Sequence, residues 1–198
     1  MRNICAQCIG IICAAVCGEM GFFMKIAILY ATVGGTTREC AHLLARELDK
    51  HDVTVANMDD CADILEYDIV VLGFPVRMGK AHKKARKYLK DNQDKLARVN
   101  AGYFMCCGFV DCFDEYREKI IPGSLGERAI DISCFGGSLE PSRFRGLDKM
   151  IVKAVRAEIL GGGENGENRD DMSLPTIMDE NIAQFADKLK RINENAAW

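Results

Sequence analysis

From Lys25 onward, short apolar runs alternate with longer stretches in which apolar residues recur every three or four positions. Lys25–Tyr30 (KIAILY) is the first run, uninterrupted in the manner of a strand buried on both faces of a parallel sheet. A Gly/Thr turn follows. A helix is predicted over about Thr37–Lys50, with Thr36 and Glu39 reading as an S/T-x-x-E capping box. Val53–Ala56 and Ile69–Gly73 predict the second and third strands, and Lys80–Arg98 a long helix. Ala101–Gly108 and Arg128–Phe135 read as the fourth and fifth strands. Leu147, Met150, Ile151, Ala154, Val155 and Ile159 fall on one helical face, and Met178, Ile182, Phe185, Leu189 and Ile192 on another. Strands alternating with helices in this way predict an α/β chain with a doubly wound parallel sheet. Ligands of such sheets bind beyond the carboxyl ends of the strands, where the strand order reverses. The loops after strands one, three and four are therefore the candidate site.

Composition narrows the classes. The chain has 198 residues, 48% hydrophobic and 28% charged, and a formal net charge of −3, so neither disorder nor a nucleic-acid-coating protein is expected. No run approaches the roughly 20 apolar residues of a membrane-spanning helix. Residues 1–23 stand apart as an apolar, Cys-rich extension before a domain over 24–198. Their C-x2-C-x4-C-x3-C spacing (Cys5, Cys8, Cys13, Cys17) leaves a dispensable extension, a targeting or membrane-touching segment and a metal site all open. The other six cysteines (Cys40, Cys61, Cys106, Cys107, Cys112, Cys134) are scattered through the αβ pattern, and free, buried thiols in a reducing cytoplasm are the expectation. Adjacent Cys106 and Cys107 would point to opposite faces of their strand. No metal site is expected in the domain. Gly161–Asp171 reads as a surface loop; its G-x-G-x-x-G match follows a helix and so has the wrong context for a dinucleotide.

The loop after strand one, Ala31-Thr32-Val33-Gly34-Gly35-Thr36-Thr37, suits a phosphate. Its glycines let backbone N–H groups turn inward, its threonines add hydroxyls, and the helix start contributes partial positive charge. Without a P-loop lysine, nucleoside triphosphates are not expected. An ordinary strand-to-helix turn is the bland alternative. Strand one ends in Tyr30 and Ala31 rather than in an acidic pair, which weighs against a response-regulator-like domain of the same architecture.

This loop resembles the flavodoxin phosphate signature [ST]-x-T-G-x-T, with Thr32, Gly35 and Thr37 on its first hydroxyl, glycine and last hydroxyl, and Gly34 in place of the middle threonine. The fuller likeness is to the flavodoxin-like, quinone-dependent protoporphyrinogen oxidases, whose loop reads like S-T-x-x-G-x-T-R-E; Thr32, Gly35, Thr37, Arg38 and Glu39 agree. The loop after strand three, Gly73 to His82, looks like that family's G-x-x-[IV]-R-x-G-x-x-H. In place of the family's longer basic insertion after strand four, this chain has the mainly acidic Gly108–Glu127.

The resemblance implies a flavodoxin-like, five-stranded parallel sheet in the order 2-1-3-4-5 with helices on both faces. It also implies FMN, with its phosphate on Thr32, Val33, Gly34, Gly35, Thr36 and Thr37. The ring would lie between Pro75, Val76, Arg77, Met78 and Gly79 on one side and Gly108 and Phe109 on the other. Arg77 is the candidate catalytic cation and His82 a candidate proton carrier. Phe74, Phe113 and Cys112 are further candidates for contact with the ring. Between Arg77 and Arg98, nine basic residues oppose only Asp91 and Asp94. Such polarity could attract a redox partner, a carboxylated porphyrinogen or an anionic lipid surface, besides being simply a solvated helix face. Two readings follow: an FMN-dependent oxidoreductase passing electrons from a reduced substrate to a quinone or other acceptor, and an electron carrier with no substrate of its own. The expected location is cytoplasmic, with peripheral contact at the inner membrane face.

Overall fold

The structure, a computed structural model, describes residues 23–60, 63–161 and 174–195. Residues 1–22 of the N-terminal extension, Cys61 and most of the Gly161–Asp171 loop lie outside them. Strands β1 (Lys25–Tyr30), β2 (Asp52–Asn57), β3 (Ile69–Arg77), β5 (Asn100–Cys106) and β6 (Ile132–Cys134) form a parallel sheet in the order β2-β1-β3-β5-β6. The expected 2-1-3-4-5 order holds, with one addition: the two-residue strand β4 (Lys80–Ala81) pairs antiparallel with the end of β3.

Both faces of the sheet are covered. Ile26, Ile28, Val71 and Phe104 point to a core completed by Cys40, Ala41 and Leu44 of helix α1 (Thr36–Glu47) and by Ile182, Phe185 and Leu189 of α7 (Asp179–Asn195). Ala27, Leu29, Val70, Leu72 and Tyr103 point the other way. There they meet Ala85 and Leu89 of α2 (Lys83–Asp91), Leu96 of α3 (Gln93–Leu96) and Leu125 of α5 (Gly123–Gly126). Helix α4 (Phe113–Ile120) lies between β5 and α5 in sequence. Burying alternate residues of each strand on opposite faces is what a doubly wound sheet requires.

Several expectations are corrected. Strand three does not stop at Gly73. Its β1 edge is open beyond the Tyr30–Gly73 pair, so Pro75, which has no N–H to donate, continues the ladder beside Cys106 of β5. The helix expected over Lys80–Arg98 begins at Lys83 and breaks at Asn92, whose side-chain Nδ2 donates to the Tyr88 carbonyl at 3.1 Å and competes with the helical ladder. Thr36 and Glu39 form no capping box: Gly35 is the N-cap, Thr36 is already helical, and Glu39 bonds elsewhere. In helix α6 (Gly146–Gly161), whose periodicity gives its apolar stripe no direction, Leu147, Met150 and Ile151 are exposed. Leu147 and Met150 are 76% and 67% exposed, while the helix docks through Val152. Among the described residues no helix is long and apolar enough to cross a membrane.

Candidate functional site

At the carboxyl end of β1 the chain turns through Thr32–Gly35 into α1. The Gly35 N–H donates to Thr32 Oγ1 at 3.0 Å, closing the turn, and Gly35 takes φ +87°, a left-handed conformation that glycine adopts without cost. Thr36 and Thr37 occupy the first turn of α1, where backbone N–H groups have no intrahelical acceptor. Both are buried, and the Thr37 hydroxyl lies against the Cys106 thiol. The turn therefore has the chemistry of an anion cradle.

A cleft of about 90 Å³ opens on this turn, within a depression of about 510 Å³ that includes its solvent mouth. Of the residues expected to hold a cofactor, Thr32, Val33, Gly34, Thr36, Thr37, Pro75, Val76, Arg77 and Gly108 line it. Gly35 shapes the turn from behind, whereas Met78, Gly79 and Phe109 stand outside the lining. Met78 and Gly79 both have positive φ (51° and 70°) and form the two-residue turn between the paired Arg77 and Lys80, which leaves Met78 85% exposed.

The far wall comes from Gly137, Ser138, Leu139, Phe144 and Val152, and the floor includes Cys106 and Cys107. Sequence reasoning missed this wall because Gly137–Phe144 has no regular periodicity and Val152 lies off the apolar stripe read for α6. Phe144 explains Gly34: a Cβ there would come within 2.7 Å of the Phe144 ring. The glycine thus stands where the flavodoxin signature has threonine because an aromatic ring fills the space. Three interactions hold the stretch across the cleft. Arg143 Nη1 pairs with Glu39 Oε2 at 2.6 Å, Arg77 Nη2 pairs with Asp148 Oδ1 at 2.8 Å, and the Arg77 guanidinium lies 5.8 Å from the Phe144 ring centre. The hydrogen bond to Arg77 holds the Asp148 carboxyl below its ordinary range.

His82 is not part of the lining. Its Nδ1 accepts from the Lys84 N–H at 3.4 Å as the N-cap of α2, and burial, then the Lys84 and Arg77 charges, lower its pKa. Phe74 is fully buried in the core rather than over the cleft, and Cys112 and Phe113 also lie outside the lining. The basic run is partly neutralised in place: Lys84 pairs with Asp59, Lys87 with Asp91 and Lys95 with Asp63.

A family model described as a flavodoxin domain matches residues 27–165. The chain belongs to the flavodoxin-domain family. It is also 24% identical over 185 residues to the quinone-dependent protoporphyrinogen IX dehydrogenase of Escherichia coli (strain K12), a match covering 86% of this chain and 97% of that protein. Among solved structures, a short-chain flavodoxin associated with a bacterial microcompartment superposes with a TM-score of 0.52 at 16% identity, covering 86% of this chain and 99% of that one. That likeness supports the flavodoxin-like fold already read from the strand order.

The donor set fits a phosphoryl group: a left-handed glycine, a position where Phe144 excludes any side chain, two buried threonines and the start of a helix of 12 residues. The cleft of about 90 Å³ is smaller than the roughly 300–1,000 Å³ of sites that enclose whole small molecules, so it would have to widen to enclose a ring.

Proposed function

We propose that this flavodoxin-domain chain is an FMN-dependent oxidoreductase that passes electrons from a reduced substrate to a quinone or other acceptor. The observation that carries the reading is the Thr32–Thr37 turn, which lies at the β1/β3 boundary where the strand order reverses and has the donors an anion needs. The distant relationship to a quinone-dependent protoporphyrinogen dehydrogenase supports the choice of an oxidoreductase. The flavin, when bound, supplies the redox chemistry. In this reading the Thr32–Thr37 backbone and hydroxyls hold the phosphate. Pro75, Val76 and Gly108 flank the ring, and Arg77 supplies the nearest fixed cation. Arg77 would have to exchange Asp148 for the bound flavin or for a substrate carboxylate. His82, whose Nδ1 caps α2 and which lies outside the cleft lining, is given no role at the reacting atoms in this reading.

Titrating the purified chain with FMN tests the cofactor: quenched flavin fluorescence and a protein-bound yellow absorption band are expected, and a folded chain that leaves FMN free overturns the reading. Oxidation of protoporphyrinogen with menaquinone then separates the enzyme from the electron carrier. Flavin binding without turnover of any such substrate favours the carrier, a reading consistent with the acidic segment Gly108–Glu127 beside the cleft.

A further inference from the structure

Two thiols at and beside the cleft floor are given no role by the proposed function. Cys107 follows the last residue of β5 and Cys134 ends β6. The β5–β6 register sets Met105 beside Cys134, so Cys107, two residues farther on, presents its side chain to the same face. The two Sγ atoms lie 3.3 Å apart, and both residues are almost wholly buried, at 3% and 4% exposure. The chain after β6 stays close to Cys107. A Cβ at Gly137 would lie 2.8 Å from the Cys107 carbonyl oxygen, so glycine there keeps the two strand ends together.

The pair is chemically unequal. Cys134 Sγ accepts from the Gly136 N–H at 3.4 Å and faces the Cys107 thiol, whereas Cys107 Sγ also has the Phe109 carbonyl as an acceptor at 3.6 Å. Donation from Cys107 and from Gly136 lowers the Cys134 pKa to about 7, and Cys107 keeps the shared proton. Cys107 forms part of the cleft floor and Cys134, outside the lining, has its Sγ 3.3 Å from that of Cys107, so a small uncharged molecule entering the cleft meets Cys107 first and has one sulfur's breadth to travel to Cys134.

We propose that Cys107 and Cys134 are a redox-active dithiol that reduces hydrogen peroxide and closes to a disulfide. The Cys134 thiolate attacks a peroxide oxygen; an S–O bond forms, the O–O bond breaks, and the departing hydroxide takes up a proton to become water. The Cys107 sulfur then attacks the sulfenic acid on Cys134 as it gives up its own proton. An S–S bond forms, the S–O bond breaks and a second water leaves. Two electrons pass from the thiols to the peroxide. The sulfur atoms need only close from 3.3 Å to the roughly 2 Å of a disulfide. A dithiol reductant restores the pair. The proposal does not depend on flavin.

The molecule carries its own control. On the opposite face of β5, Cys106 and Cys40 lie 3.7 Å apart, but there the hydrogen bond to Cys40 and burial push the Cys106 thiol up and keep it protonated. The test uses the full chain, reduced, freed of reductant and exposed to stoichiometric hydrogen peroxide near neutral pH, then denatured, alkylated and mapped by mass spectrometry. A Cys107–Cys134 cross-link is expected, formed at least about tenfold faster than Cys40 or Cys106 is oxidised, and reversed by dithiothreitol. In Cys107→Ser, dimedone should label Cys134. Recovery of both cysteines as alkylated thiols, or of Cys134 as a sulfinic acid beside free Cys107, overturns the proposal; so does a folded Cys107→Ser chain with no dimedone adduct. If that variant does not fold, the wild-type map decides by itself.

Discussion

At the scale of single residues, the turn after β1 concentrates what the sequence made legible. The threonines and glycines marked themselves by type and order, and the structure places them round one cleft. Their partner Phe144 carried no such mark, because a lone aromatic in an irregular stretch has no period to announce its neighbour. The Glu39 carboxylate, expected to cap a helix, reaches Arg143 more than a hundred positions away, a pairing no local pattern encodes. Under the proposed function, Thr37→Val should weaken FMN binding by roughly 1–2 kcal/mol, the loss of one hydrogen bond to a charged group, measured by fluorescence titration. Unchanged affinity would place the phosphate elsewhere. Tyr103 supplies a test that needs no ligand. Its ring is fully buried in β5, its hydroxyl has no partner among the described residues, and burial pushes its pKa up to about 12. Tyr103→Phe should therefore stabilise the chain, by about 1 kcal/mol in urea denaturation, because an unsatisfied polar atom is removed without loss of volume.

At the scale of elements, the sheet was legible because its strands are uninterrupted apolar runs, whereas the connections between them were not. Proline and glycine signalled the end of strand three, yet the open edge beyond Tyr30 let the strand run on into a hairpin. That hairpin turns through Met78 at φ 51°, a conformation that costs a residue with a long side chain on the order of 1 kcal/mol and that asparagine tolerates better. Met78→Asn should raise the unfolding free energy by about 0.5–1 kcal/mol, read by denaturant titration. Helix α2 carries a pH dependence through its cap. Burial and nearby cations hold the folded-state pKa of His82 below the ordinary value, so on acidification the unfolded chain binds the proton first. Stability should be fully present above about pH 6.5 and fall as the pH drops from there through the folded-state value. His51, lowered mainly by burial, adds to the same slope. His82→Asn keeps an acceptor at the N-cap and should flatten part of that slope; an identical slope would assign it to other groups.

At the scale of the molecule, alternation of strand and helix fixed the layers, while helical periodicity located the apolar face of one helix without saying where that face points. The stripe of α6 has the spacing of a buried face, yet Leu147 and Met150 are exposed because the helix does not lie on the sheet: it meets the body through Val152 and the 3-10 turn at Pro141–Arg143. Period alone reports amphipathicity, not the direction of burial. The +7 balance of Arg77–Arg98 likewise overstates the field outside the molecule, since four of its nine cations are paired with carboxylates in the structure.

The two ion pairs that bracket Phe144 lie at the surface, where mobile salt reaches them and the Debye length is about 8 Å at physiological strength. An anionic dinucleotide fragment or mononucleotide drawn in by positive charge alone would associate more slowly as salt is added. If the Glu39–Arg143 and Arg77–Asp148 latches control admission, added sodium chloride should instead accelerate FMN association in stopped-flow mixing, and Glu39→Gln should reproduce part of that acceleration at low ionic strength.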